Sequence, residues 1–282
     1  MCGIAGIVSK NKSVSLKDSV YAMSQSIKHR GPDGEGFVFI SNERSLPVFS
    51  NDTPLVNTQS NQHSYNPKSS INAIGEDYYI AFAHRRLSII DLSEAGHQPM
   101  CDSSGNYWLT FNGEIYNYIE IREELKLKGH QFNTQTDTEV VLEAYKEWGF
   151  SCLQRFNGMF AFSLYDKKNN HLFCARDRVG VKPFYYINTN QVFAFASEYK
   201  AFIKSNLIPF EINEAAQLDY LISANLEMSE QSLFKGITEL KPSHYLVYDL
   251  ASHQVDVKRY YSLPNVTSTQ KSDSEIIELM TF

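Results

Sequence analysis

The chain begins Met1-Cys2-Gly3 and passes directly into Ile4-Ala5-Gly6-Ile7-Val8, an apolar run that predicts a buried strand. A core strand this close to the terminus constrains the fold strongly, because it holds residue 2 at a fixed place on the body of the protein. Removal of Met1, expected where a small residue follows, makes Cys2 the N-terminus. One residue then carries both a thiol and a free α-amine. Such an amine titrates near ~7.7–8.0, so part of it is an unprotonated base at neutral pH. The thiolate is the reactive form of cysteine, and a free thiol ionises only near about 8.5. An N-terminal amine acting as base for its own side chain is a recognised way to activate a nucleophile. The plainer alternative is an ordinary cysteine near an exposed end, which position alone favours. The rest of the chain decides between them.

Composition narrows the classes. The 282 residues are 43% hydrophobic and 21% charged, enough apolar material for one large domain or one domain and part of another. A net charge of −6 argues against nucleic acid as the main ligand, since phosphate binding needs a basic face. No apolar run approaches the ~20 residues that span a bilayer, and the first residues lack the form of a secretory signal. A cytoplasmic protein with no membrane partner is expected. The four cysteines, at 2, 101, 152 and 174, form no C-x-x-C pair, and the eight histidines show no ligand spacing. No metal is expected in this segment.

Ser15 with Asp18 three residues on resembles a capping box, and Leu16, Val20, Met23 and Ile27 recur at helical spacing. The helix ends in His29-Arg30-Gly31-Pro32-Asp33-Gly34; a helix stop explains Gly and Pro but not His and Arg. Residues 41–77 are polar and irregular, and read as a surface excursion holding at most a short hairpin. A strand from Tyr78 to Ala83 leads into His84-Arg85-Arg86-Leu87-Ser88-Ile89-Ile90-Asp91. There Arg86 is either a solvated charge or a fork for a small carboxylate. Trp108–Phe111 is another strand, broken at Asn112-Gly113-Glu114-Ile115-Tyr116-Asn117. Asn-Gly most often marks a hairpin turn; alternatively, the Asn amide and the following N–H are two donors for a developing oxyanion. Asn117 with Glu120 caps one helix. Thr136-Asp137-Thr138-Glu139 opens the next, where an Asp is ordinarily a cap. Strand-like runs at Met159–Tyr165, Leu172–Arg176, Phe184–Ile187 and Val192–Ala196 indicate antiparallel sheet. Beyond Glu198 come helical stretches, a hairpin-like Leu240–Leu250, a polar linker after Pro264, and a helix opening near Ser274.

Taken in order, Cys2-Gly3-Ile4, His29-Arg30-Gly31-Pro32-Asp33, Arg86-Leu87-Ser88-Ile89, Asn112-Gly113-Glu114-Ile115-Tyr116-Asn117 and Thr136-Asp137-Thr138-Glu139 resemble the glutaminase domain of class II glutamine amidotransferases. Gly158–Phe162, Ala175-Arg176-Asp177 and Ala196-Ser197-Glu198 bring the likeness nearest to glutamine-dependent asparagine synthetases. The resemblance implies an α+β fold, the four-layer αββα N-terminal-nucleophile hydrolase sandwich of two antiparallel sheets. It implies that Cys2 attacks the side-chain amide of L-glutamine, with Asn112 and Gly113 forming the oxyanion hole. Arg86 takes the substrate α-carboxylate and Asp137 its α-ammonium, while Leu87, Ile89, Ile90 and Glu114 complete the pocket. Ammonia passes to a synthetase domain or subunit.

The expected organisation is a glutaminase domain over 2–205, with the insertion at 41–77, and an extension over 206–282 that begins a synthetase domain. Nowhere in the chain is there a Ser-Gly-Gly-x-Asp-Ser loop or a Walker-type loop. ATP and magnesium are therefore expected only in a synthetase domain, with no cofactor in this segment. A homodimer is compatible with the pattern. Two other functions are carried along: the same fold acting on a different amide, and a non-catalytic module that only docks a partner.

Overall fold

The computed structural model describes residues 1–263 except 13, 76, 90, 92 and 225–231, together with residues 272 and 275. The linker after Pro264 and the helix expected from Ser274 lie outside the described residues.

Two sheets form the body. The first contains β1 (Gly3–Ser9), β2 (Gly34–Ile40), β3 (Ser45–Phe49), β4 (Ser69–Ser70), β5 (Ile80–Arg86), β10 (Tyr185–Asn188), β11 (Val192–Ala196) and β12 (Thr238–Glu239). Their order is β12-β10-β11-β1-β5-β2-β3-β4, so the N-terminal strand is interior. The second contains β6 (Met100–Cys101), β7 (Tyr107–Ile115), β8 (Gly158–Asp166), β9 (His171–Arg176), β13 (His244–Asp249) and β14 (Val255–Arg259), in the order β14-β13-β9-β8-β7-β6. Every pairing is antiparallel except β3 with β4.

Alternation along β1 defines the layers. Ile4 and Val8 join Phe82 and Phe195 of the first sheet and Trp108, Tyr165 and Tyr248 of the second in the core between the sheets. Ala5 and Ile7 instead join Val20, Met23 and Ile27 of α1 (Leu16–Ser26) and Phe202 of α6 (Lys200–Lys204). On the far side, α3 (Tyr118–Leu127), α4 (Asp137–Trp148) and α5 (Cys152–Arg155) supply Ile121, Leu125, Val140, Val141, Ala144 and Leu153 to the core of the second sheet. The expected sandwich of two sheets between helical layers is present. Ile4, Ile7 and Val8 are each at least 99% buried. At about 1.5–3 kcal/mol for each buried aliphatic side chain, the terminus is held firmly against fraying.

Ser15 caps α1 as expected: its Oγ accepts from Asp18 N at 3.3 Å, and it donates to the Asp18 carboxylate at 2.7 Å, side chain to side chain, where a full capping box would use the Ser15 N–H. Asn117 does not cap α3 with its side chain. Its Oδ1 accepts from Asn157 N (2.9 Å) and its Nδ2 donates to Arg155 O (3.0 Å), which ties the start of α3 to the turn before β8. Asn112-Gly113 is not a hairpin turn either. It lies inside β7, which runs on to Ile115, with Asn112 opposite Ala161 and Gly113 opposite Phe160. A Cβ at Gly113 would collide with the backbone of Met159 and Phe160, so the glycine serves close strand approach.

The 41–77 segment is more ordered than its composition suggests. It supplies β3, β4 and the short helix α2 (Leu55–Gln59), extending the first sheet. The sandwich also continues past residue 205. β12 adds to the first sheet, and β13 pairs with β9 from Tyr245↔Ala175 to Asp249↔His171. Between β11 and β12 the chain forms α6 and α7 (Glu214–Ser223). Among the described residues, no helix is long and apolar enough to cross a membrane.

One buried charge cluster locks β2 to β5. Arg85, 1% exposed, pairs with Glu35 at 2.7 Å and Asp52 at 2.9 Å, and its Nε donates to Ser24 Oγ at 2.8 Å. Burial pushes the Glu35 carboxyl up, and the Arg85 guanidinium opposes that rise. Ser50 and the backbone of Asp52 also bond to Glu35, which draws the 50–53 turn of the insertion onto the sheet. Glu35→Ala removes the principal partner of a buried cation, so a loss of about 3–5 kcal/mol is expected. Thermal melting checks this, as a fall in Tm of about 6–15 °C.

Candidate active site

Cys2 sits at the head of β1, and three sequence motifs fasten it. Arg30 Nε donates to the Cys2 carbonyl at 2.9 Å, while its NH1 pairs with Glu198 at 3.1 Å. His29 meets the same carboxylate at 2.8 Å. Ser197 Oγ accepts from Ile4 N at 3.0 Å. Gly31 lets the turn lie against β5, since a Cβ there would strike the backbone of Arg85 and Arg86. Asp33 then accepts from Ser88 N at 2.8 Å. The His-Arg-Gly-Pro-Asp turn is thus a helix stop whose polar residues grip the start of β1 and the end of β5.

The Cys2 thiol is half-buried. Leu87 N donates to Sγ at 3.3 Å, and Sγ lies 3.5 Å from Leu87 O. Burial pushes the thiol up from its ordinary range; the Leu87 N–H, the N-terminal ammonium, Arg86 and Lys182 pull against it. With Met1 in place, the nitrogen of Cys2 is an amide and cannot act as a base, and Met1 itself lines the pocket.

Around the thiol, one pocket is lined by Cys2, Arg86, Leu87, Ile89, Asn112, Gly113, Glu114 and Asp137. Of the residues singled out from sequence, only Ile90 lies outside the described residues. Asn112 is 1% exposed, and its Nδ2 is buried without a hydrogen-bond partner. An orphaned buried donor costs roughly 1–3 kcal/mol, so this amide is poised for an acceptor that enters the pocket. The strand just before it is clamped from both sides. Phe111 N donates to Gln98 Oε1 at 2.7 Å, and His84 Nε2 meets Phe111 O at 3.1 Å. Burial lowers His84 to about 3, so it is neutral and must donate through Nε2.

At the start of α4, the cap is Thr136, which accepts from Glu139 N at 3.2 Å. That leaves the Asp137 carboxylate for other work. Asp137 is 5% exposed and accepts from Ile115 N at 3.0 Å. Burial raises its pKa to about 6, with the Ile115 N–H opposing and Glu114 adding to the rise. Gln98 Nε2 reaches Thr138 Oγ1 at 3.4 Å and so connects this helix start to β7.

Arg86 is held by its own loop. NH1 donates to Ser93 O at 2.8 Å and NH2 to Asp91 O. Gly96 abuts the guanidinium, and a side chain there would collide with it. The insertion supports this turn from behind: Tyr65 OH donates to Ala95 O at 2.8 Å and Asn57 Nδ2 to Glu94 O at 3.4 Å. Sequence reading placed no chemistry on the insertion, yet it shapes one wall of the pocket. Gln98, Thr138 and Lys182 also line the pocket. Gln98 and Lys182 sit outside the recognised motifs with no periodic or paired signal, while Thr138 stands in the Thr136-Asp137-Thr138-Glu139 motif, where sequence reading assigned it no role of its own.

A thiol, an unpartnered amide donor, a guanidinium and a buried carboxylate thus share one pocket. Similarity to known proteins defines the class. Residues 58–261 match the glutamine amidotransferase domain family, and the chain belongs to that family. Among curated relatives, a putative glutamine-hydrolyzing asparagine synthetase of Methanocaldococcus jannaschii is 36% identical, over 94% of this chain and 47% of its own length. Asparagine synthetase 3 of Bacillus subtilis is 34% identical, over 97% of this chain and 38% of its own. The chain therefore spans less than half the length of these relatives. Among solved structures, a glutamine phosphoribosylpyrophosphate amidotransferase from B. subtilis superposes with a TM-score of 0.65 at 19% identity, covering 92% of this chain and 49% of that one. The fold is the amidotransferase sandwich.

Proposed function

We propose that this chain hydrolyses the side-chain amide of L-glutamine through a Cys2 thioester and passes the ammonia to an asparagine synthetase-type, ATP-dependent amidation. The unpartnered Asn112 amide in the same pocket as the Cys2 thiol carries the reading. Once Met1 is removed, the α-amine takes the thiol proton and Sγ attacks the amide carbon. Charge moves to the carbonyl oxygen, where Asn112 Nδ2 and the Gly113 N–H supply hydrogen bonds. Collapse of this intermediate expels the nitrogen, which leaves as ammonia with the proton that the α-amine had taken. Water then attacks the γ-glutamyl thioester, and the thiolate departs to release glutamate. Arg86 binds the substrate α-carboxylate in the fork geometry a guanidinium suits. Asp137 binds the α-ammonium, with Leu87, Ile89, Ile90 and Glu114 around the chain of the substrate. We assign the synthetase step, with its ATP and magnesium, to a separate synthetase domain or subunit that receives the ammonia.

Cys2→Ala is expected to abolish glutamate release while the melting temperature is kept; retained hydrolysis in that variant refutes the reading. A pH profile tests the role of Asp137. Its carboxyl, raised to about 6 by burial, must ionise to hold an ammonium, so binding expels a proton below that pH. The KM for glutamine should be flat above about pH 6 and rise as the pH falls, towards tenfold per unit. Asp137→Asn should raise KM at neutral pH and flatten this acid limb.

A further inference from the structure

Lys182 lies outside the recognised motifs, and its backbone is fixed from two sides. Its N–H donates to Asp177 Oδ2 at 2.9 Å, and its carbonyl accepts from Arg176 Nε at 2.8 Å. The residue is 5% exposed and lines the same pocket as Cys2 and Glu114. Among the described residues, its ammonium forms no hydrogen bond or ion pair. The ammonium thus faces the pocket with no bonded partner, and only the charges around it balance it.

The charges facing Lys182 are Glu114, Cys2, Arg30 and Asp177. Asp177 is already committed, since its carboxylate accepts from the N–H groups of Phe160, Val179, Val181 and Lys182. The thiol faces the N-terminal amine, Arg86 and Lys182. Arg86 is engaged by the Asp91 and Ser93 carbonyls and, in the proposed reaction, by the substrate carboxylate. Glu114 partly offsets Lys182, but among the described residues it makes no direct bond to it. We propose that Lys182 is a positioning residue whose ammonium stabilises the Cys2 thiolate, before attack and again when the thioester breaks down. The proposal rests on the glutaminase reading and adds a second activating charge to the α-amine. Burial lowers the pKa of the ammonium while Glu114 and the thiolate raise it, so lysine and thiolate each help to keep the other charged.

Alkylation tests this without glutamine turnover. Cys101, Cys152 and Cys174 are buried, and burial pushes their thiols far up, Cys101 and Cys174 to about 12. Iodoacetamide labelling of the folded, Met1-free protein therefore reports Cys2, with Cys2→Ala as the blank. The rate is followed against pH for the wild type and for Lys182→Met, Lys182→Gln and Lys182→Arg, each checked for folding by its melting curve. The neutral variants should move the midpoint up by about half to one pH unit, slowing labelling roughly three- to tenfold at neutral pH, and arginine should restore it. An unchanged midpoint in the folded neutral variants overturns the proposal. So does an arginine variant that behaves like methionine, which would make Lys182 a matter of shape. The glutaminase reading itself stands or falls on the Cys2→Ala assay, so the two failures are distinct.

Discussion

Pairing of β1 on both edges is the constraint on which the site depends. Its register runs from Gly3↔Arg85 to Val8↔Ile80 on one side and from Ala5↔Ala196 to Ser9↔Val192 on the other. A slip of one residue would exchange Ile4 and Val8 for Ala5 and Ile7 between the two cores, so burial enforces the register. Residue 2 is thereby delivered to the end of β5, where Leu87 and Arg86 lie. A terminus is ordinarily the most mobile part of a chain. Here the hydrophobic core holds it, and Arg30 and Ser197 fix its last peptide groups.

The polar interior does a different task. Neutral His84 and Gln98 grip Phe111 from opposite sides, and Gln98 continues to Thr138, so β5, β7 and the start of α4 share one network. Each of these groups is satisfied. Within the pocket, by contrast, Asn112 Nδ2 has no partner and the Lys182 ammonium makes no hydrogen bond or ion pair among the described residues. A pocket whose supports are bonded and whose working groups are left open is preorganised for charge that develops only during reaction.

The sheets and helices were legible where period and caps agreed. Ser15 and Thr136 cap the helices they precede, and Val192–Ala196 is a strand with the expected ends. Legibility failed where tertiary contact overrode local preference. Asn112-Gly113 carries a turn signal, but pairing with β8 keeps it extended. Residues 41–77 show little periodicity because β3 is a short strand in a hairpin with β2, closed at Ile40↔Ser45, and the turn after it is held by side-chain contacts such as Ser50 with Glu35. The boundary at 205 placed β12, β13 and β14 outside the domain, because β-augmentation by a later hairpin leaves no mark on the strands that receive it. Cys2, Arg86, Asn112 and Asp137, from four separate motifs, line one pocket, with His29-Arg30-Gly31-Pro32-Asp33 behind it, while Lys182, between Val181 and Pro183, gave no signal of its burial.

In the proposed reaction, the sulfur at the end of β1 becomes covalently joined to the γ-carbonyl of glutamine. The most direct measurement is a rapid acid quench of the Met1-free protein mixed with glutamine, followed by intact and peptide mass analysis. An adduct of one γ-glutamyl group is expected on the peptide that begins with Cys2, labile to hydroxylamine and absent in Cys2→Ala. Glutamate formation by the processed protein with no adduct at any quench time, or with the adduct on another residue, would contradict that reaction.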